Sequence, residues 1–148
     1  MKARPEVWTL PAAARRAVLA HAREARPEEC CGVLVGTRRN IAFAAPMRNV
    51  ATDRRRRYQL DDAEHIAIRQ WLRTSAPAMG IVGVYHSHPA SAARPSATDL
   101  AEAHYPEWLY LIAGRAGTRA VVKGFRINDG AAREVLLRRA PLRPRPAR

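Results

Sequence analysis

His86 and His88 lie two residues apart. Pro89, Pro95-Ser96 and Asp99 follow them. Imidazole nitrogen and carboxylate oxygen are ordinary zinc ligands, and three protein ligands leave one tetrahedral position open, as in catalytic zinc sites. The spacing suits that chemistry. Residues 80–86, Gly-Ile-Val-Gly-Val-Tyr-His, read as a short apolar strand. Side chains alternate along a strand, so His86 and His88 share a face at its end. Pro89 cannot donate to a ladder and predicts the strand's end. Asp99 falls in the first turn of a helix expected over about 96–104, from which it can return toward the histidines. Ser96-x-x-Asp99 also reads as a capping box, with Asp in place of Glu or Gln. The capping role and a place beside a metal are compatible. Other metal patterns fit poorly. The two cysteines, Cys30 and Cys31, are adjacent, so there is no Pro-Cys-x-x-Cys pair, and His-Glu-x-x-His is absent.

An open zinc site needs a base. Glu28 and Glu29 directly precede an apolar run, 30–35, that reads as a buried strand. A carboxylate held at a strand's edge in a partly desolvated cleft has a raised pKa suited to proton shuttling. On residue type alone, two glutamates after a proline read sooner as solvated loop than as a base.

The surrounding elements follow from pattern. A first helix is expected over 10–25, with Thr9 as N-cap and Pro11 in its first turn. Two strands, 31–37 and 40–47, come next, then a polar, arginine-rich loop over 48–58. A second helix over 61–73 carries Ile66, Ile68, Trp71 and Leu72 as candidates for burial. Three more strands are expected over 107–113, 119–127 and 133–138. Gly114–Gly117 and Asn128-Asp-Gly130 supply the turns. Residues 1–139 read as one domain, and 140–148 as a basic, proline-rich tail, extended and disordered.

The formal charge is +13, and 24 of the 26 basic residues are arginine, since only Lys2 and Lys123 are lysine. Codon bias in a GC-rich genome accounts for that composition. The alternative is an acidic partner, with Arg54 to Arg57 as the sharpest local feature. The run lacks interleaved aromatics apart from Tyr58 at its end, so nucleic acid is not the favoured partner. No segment has transmembrane length, no signal-peptide core opens the chain, and adjacent cysteines suggest no disulfide framework. A cytoplasmic protein is expected.

Glu29-Cys-Cys-Gly32, then His86-Ser-His-Pro89, six residues, Ser96, two residues and Asp99 together resemble the full signature of the JAMM (MPN+) metallopeptidases. The resemblance spans roughly residues 8–137 and is weakest at both ends and around the arginine run. It aligns Glu29, not Glu28, with the general base. His86, His88 and Asp99 align with the ligands of one Zn2+ per chain, and Ser96 with the residue that helps stabilise the oxyanion. No element of the catalytic pattern is missing, unlike in the family's scaffold-only members. The implied fold is α/β, a mixed central sheet flanked by helices and related to cytidine deaminases.

The implied activity is hydrolysis of peptide or isopeptide bonds, often after the Gly-Gly tail of ubiquitin-like proteins. The chain leaves little room for the insertions of eukaryotic deubiquitinases. It resembles single-domain prokaryotic members that act on small ubiquitin-like sulfur-carrier proteins, releasing cysteine or trimming the carrier's tail. The tail is expected to lie beside the active-site strand and add main-chain hydrogen bonds. The alternatives are a deubiquitinase-like isopeptidase acting on protein conjugates and a nucleic-acid-associated protein using its arginine loop. A further rival keeps the metal as structure only. A homodimer is left open.

Overall fold

The computed structural model describes residues 2–141. Of the tail, residues 142–148 lie outside the described residues. The chain runs β1 (Val7–Thr9), α1 (Ala12–Ala25), β2 (Cys31–Thr37), β3 (Asn40–Met47), α2 (Asp62–Ser75), β4 (Gly80–Ala92), α3 (Ala97–Glu102), β5 (Leu109–Ala116), β6 (Arg119–Asn128) and β7 (Ala131–Arg138). The strands form one mixed sheet in the order β1-β3-β2-β4-β5-β6-β7, closed where β1 runs parallel to β7 and touches β3 at Thr9↔Asn40.

Strict alternation sorts the central strands into two faces. Leu34, Tyr85, Leu109 and Leu111 pack with Val18 of α1 and with Trp8 and Leu10. On the opposite face, Val84, Tyr110 and Ile112 meet Leu100 of α3, and Val33 and Val35 meet Leu72 and Ile68 of α2. The apolar runs in β2, β4 and β5 arise because both faces are covered.

β2 and β3 have the expected limits. Arg38, at φ 53°, turns the chain between them. The β6–β7 hairpin turns at Asp129 and Gly130, both at positive φ (50° and 72°), as the Asp-Gly pair predicts. Other expectations are corrected. Thr9 ends β1 instead of capping α1, whose N-cap is Pro11 with no side-chain bond. β4 does not stop at Pro89 but continues to Ala92. Beyond Cys31↔His86 no β2 residue pairs with it, so the missing proline N–H costs no ladder bond. Gly114 lies within β5, where a Cβ would come within 2.6 Å of the Ala93 backbone. On α2 the inward stripe is Asp61, Glu64, His65, Ile68 and Leu72, while Ile66 and Trp71 are 56% and 47% exposed.

β4 is an interior strand, paired to β2 over Gly80–His86 and to β5 over Gly83–Ser87. A substrate tail therefore cannot lie along most of it. The segment free on the β2 side is His88–Ala92, the stretch that leaves the centre.

Candidate active site

Two strands and a short helix converge at the carboxyl end of β4. The ends of β2 and β4 are pinned by Ser87, whose N–H donates to the Cys30 carbonyl at 3.1 Å and whose Oγ accepts from Cys30 N–H at 2.8 Å. Glu29, two residues before β2, is thereby fixed beside the histidines. Gly32 permits the close packing behind it. A Cβ there would lie 2.4 Å from both the Ala45 carbonyl oxygen and the Tyr85 ring. The arginine-rich loop forms the outer wall. Asn49 Nδ2 donates to the carbonyls of Glu29 and Arg57 at 3.0 and 2.9 Å, and Glu29 N–H donates to the Arg54 carbonyl at 2.8 Å. Arg54 pairs with Glu28, and Arg57 with Glu102.

Asp99 Oδ2 lies 3.2 Å from His86 Nε2 and 3.1 Å from His88 Nε2, and the two Nε2 atoms are 3.1 Å apart. A triangle with such edges is one face of a tetrahedron whose centre is about 2 Å from each vertex, the length of Zn–N and Zn–O bonds. The donor chemistry agrees. His88 Nδ1–H donates to the Ala92 carbonyl at 2.9 Å, leaving the lone pair on Nε2. Asp99 presents a carboxylate oxygen to the same point. Three acceptor-type atoms facing one another fit a cation. Glu29, His86 and His88 also hold ligand atoms within 4.8 Å of one another. Glu29 Oε1, however, is 3.9 Å from His88 Nε2, further out than Asp99. The tighter triangle makes Asp99 the third vertex and leaves Glu29 alongside.

Burial pushes the Glu29 carboxyl up to about 7; the His88 charge opposes this and Asp99 adds to it. Its Oε2 is buried without a hydrogen-bond partner among the described residues, as is Nδ1 of His86. Burial drives His86 below the usual imidazole value. Burial also acts against Asp99 ionisation, but bonds from both histidines outweigh it and hold Asp99 well below the carboxylate range. Ser96 caps α3: its Oγ accepts from Asp99 N–H at 3.1 Å, and its N–H donates to Asp99 Oδ2 at 2.8 Å. The structure thus brings Glu29, His86, His88 and Asp99 together, with Ser96 joined to them through Asp99. The sequence reading missed Tyr58, whose ring stacks on His86 at 4.3 Å, and the clamp residue Asn49. Their one signal was an aromatic and an amide bracketing a basic loop.

A desolvated carboxylate beside a convergent imidazole–carboxylate cluster belongs to the class of metal-assisted hydrolases. The comparisons are more specific. The model of the prokaryotic homologs of the JAB domain matches residues 11–127, and the chain belongs to that family of JAMM-type hydrolases, which are zinc-dependent in general. A relative from Haloferax volcanii, named desampylase, is 41% identical over 115 residues, covering 74% of this chain and 81% of its own. The CysO-cysteine peptidase of Mycobacterium tuberculosis is 35% identical over 123 residues, covering 80% of this chain and 81% of its own. The solved structure of a Desulfitobacterium hafniense protein superposes with a TM-score of 0.79 at 32% identity, covering 90% of this chain and 92% of the other. Among the described residues, no helix is long and apolar enough to cross a membrane.

Proposed function

We propose that this chain is a zinc-dependent peptidase that hydrolyses the bond after the Gly-Gly tail of a small ubiquitin-like sulfur-carrier protein. The observation that carries this reading is the buried Glu29 carboxylate, 3.9 Å from His88, beside the His86–His88–Asp99 triangle. Relatives named for action on CysO-cysteine and for desampylation support the carrier as substrate.

His86, His88 and Asp99 would hold one zinc ion. Bound there, zinc supplies Lewis acidity toward the scissile carbonyl and lowers the pKa of water toward about 7. Glu29 takes a proton from the attacking water and returns it to the leaving amine; burial keeps its proton affinity near that of the groups it exchanges with. Ser96 Oγ accepts from Asp99 N–H, and its own proton has no acceptor among the described residues, so it is available to a developing oxyanion. The extended tail adds main-chain hydrogen bonds along His88–Ala92, the portion of β4 left open on the β2 side. A tail of glycines has no side chains to obstruct such an approach. Replacing the carrier's terminal glycine by a bulky residue should block cleavage; an unchanged rate would remove this account of selectivity. Two buried, unbridged cysteines suit a reducing cytoplasm.

The test is intact-mass spectrometry of a Gly-Gly-ending carrier extended by cysteine, incubated with zinc-loaded wild type and with Glu29→Gln. Loss of one cysteine mass with wild type alone supports the reading. No loss with zinc bound overturns it. Hydrolysis of an isopeptide in a carrier–protein conjugate is the second reading, favoured by the name of the Haloferax relative.

A further inference from the structure

The two histidines of the centre are held in different ways. His88 is fixed by its own hydrogen bond, from Nδ1–H to the Ala92 carbonyl at 2.9 Å. His86 has no such tether: its Nδ1 is buried without a hydrogen-bond partner among the described residues. Metal-ligating histidines almost always donate their second ring N–H, and that bond sets the orientation of the ring. Without it, the last torsion of a histidine has broad minima. Rotation about that torsion would carry His86 Nε2 out of its triangle with His88 and Asp99, whose edges are 3.1–3.2 Å.

Tyr58 makes contact where the bond is missing. Its ring lies against His86 with centroids 4.3 Å apart and planes inclined by 19°. His88 meets the His86 ring edge-on, at 63°. A flat partner over a whole face leaves the imidazole little freedom to turn. The face of a phenol ring also favours an electron-poor partner, which an imidazole facing a cation becomes. Tyr58 is itself bracketed by one amide. Asn49 Nδ2 donates to the Arg57 carbonyl at 2.9 Å, and Asn49 Oδ1 accepts from Gln59 N–H at 3.1 Å. The Arg57 side chain pairs with Glu102 at the end of α3, the helix that carries Asp99.

We propose that Tyr58 is a positioning residue that orients His86 for metal capture, and that Asn49 acts through it. The arginine run then serves to deliver the aromatic residue at its end. The inference rests on the zinc reading of the centre.

The experiment measures the zinc Kd by competition with a chromogenic chelator and, separately, the visible absorption of the Co2+-loaded chain, which reports ligand geometry. Tyr58→Leu keeps apolar bulk without the flat face. It should raise Kd about 10- to 100-fold, the range for losing a group that orients a metal-ligating histidine, and shift the cobalt bands. Tyr58→Met is the second unstacked variant should Tyr58→Leu not fold. Tyr58→Phe keeps the face and should stay within about threefold of wild type, with the wild-type spectrum. Ile127→Val loosens the same apolar cluster from β6, which β5 separates from β4. It should lower the melting temperature and leave Kd and spectrum unchanged. Asn49→Ala should raise Kd, and add nothing when combined with Tyr58→Leu. Additive losses would take Asn49 out of the assignment. A wild-type Kd and spectrum in the unstacked variants, or an equal loss in Tyr58→Phe or Ile127→Val, overturns the positioning role and leaves the zinc reading standing. Failure of wild type to bind zinc overturns both.

Discussion

Two cavities flank the strands that carry the candidate centre, both lined by arginine, and they differ in what accompanies it. On the Glu29 side, Arg48 pairs with Asp61 and Glu64, and Arg54 with Glu28. On the α1 face, Arg23, Arg26 and Arg115 share a cavity with no acid. Far from both, Glu6 gathers Arg39, Arg126 and Arg133 around one buried carboxylate. A charge of +13 therefore does not describe one uniform basic coat. Paired arginines build walls, whereas Arg23, Arg26 and Arg115 have no acidic partner within ion-pair distance among the described residues. Half of the arginine run belongs to the first kind, since Arg54 and Arg57 are engaged by Glu28 and Glu102.

The largest effect is expected where the candidate centre itself is removed. His88→Ala should reduce bound zinc from about one ion per chain to near none by metal analysis, with activity lost. Glu29→Gln alters one side alone: zinc should remain and kcat fall by about 100- to 10,000-fold, the range for a general base. A zinc-loaded variant with wild-type turnover would take Glu29 out of that role. Ser96→Ala should slow turnover by about 100- to 1,000-fold, as for loss of an oxyanion donor. It should also lower stability by about 1 kcal/mol through the lost cap, readable in a denaturant melt.

Glu6→Gln probes paired arginine away from the site. Burial opposes the ionised form of Glu6, but bonds from Trp8 and Arg126 outweigh it and lower its pKa in the fold. Its contribution is therefore complete above the ordinary glutamate value and is lost as pH falls through the lower folded value. At neutral pH the variant should be about 1.5–3 kcal/mol less stable, and the gap should close in acid. The smallest effect is expected from Arg54→Ala: at most about 1 kcal/mol, as for exposed ion pairs. A larger loss, read in a denaturant melt, would show that this pair does more than an exposed ion pair.

Much of this was legible in the sequence where local pattern and tertiary demand agree. The His-x-His spacing at the end of an apolar strand fixed a shared face, and Asp129-Gly130 prescribed its turn. β1 was not legible, because three residues carry too little periodicity; its existence depends on β7 lying beside it. Trp71 and Ile66 looked like core because apolar type was read without knowing which stripe of α2 faces the sheet. Within the site, spacing joined His86, His88 and Asp99 into a cluster, whereas proximity to Glu29 depends on β2 and β4 being neighbours. Tyr58 and Asn49 have no common motif. They come together only through the fold.

One oxygen of the site has a wider consequence. Asp99 Oδ2 accepts the N–H of Ser96 at the start of α3 and also faces both histidines. With an ion held there, helix initiation and ion capture would be one cooperative unit, not two independent events. Free metal at a hundredfold excess over its Kd would raise unfolding free energy by about 2.7 kcal/mol. The melting temperature then becomes a gauge of occupancy, and metal starvation in a cell would be felt first as lost protein abundance, through proteolysis of the loosened form.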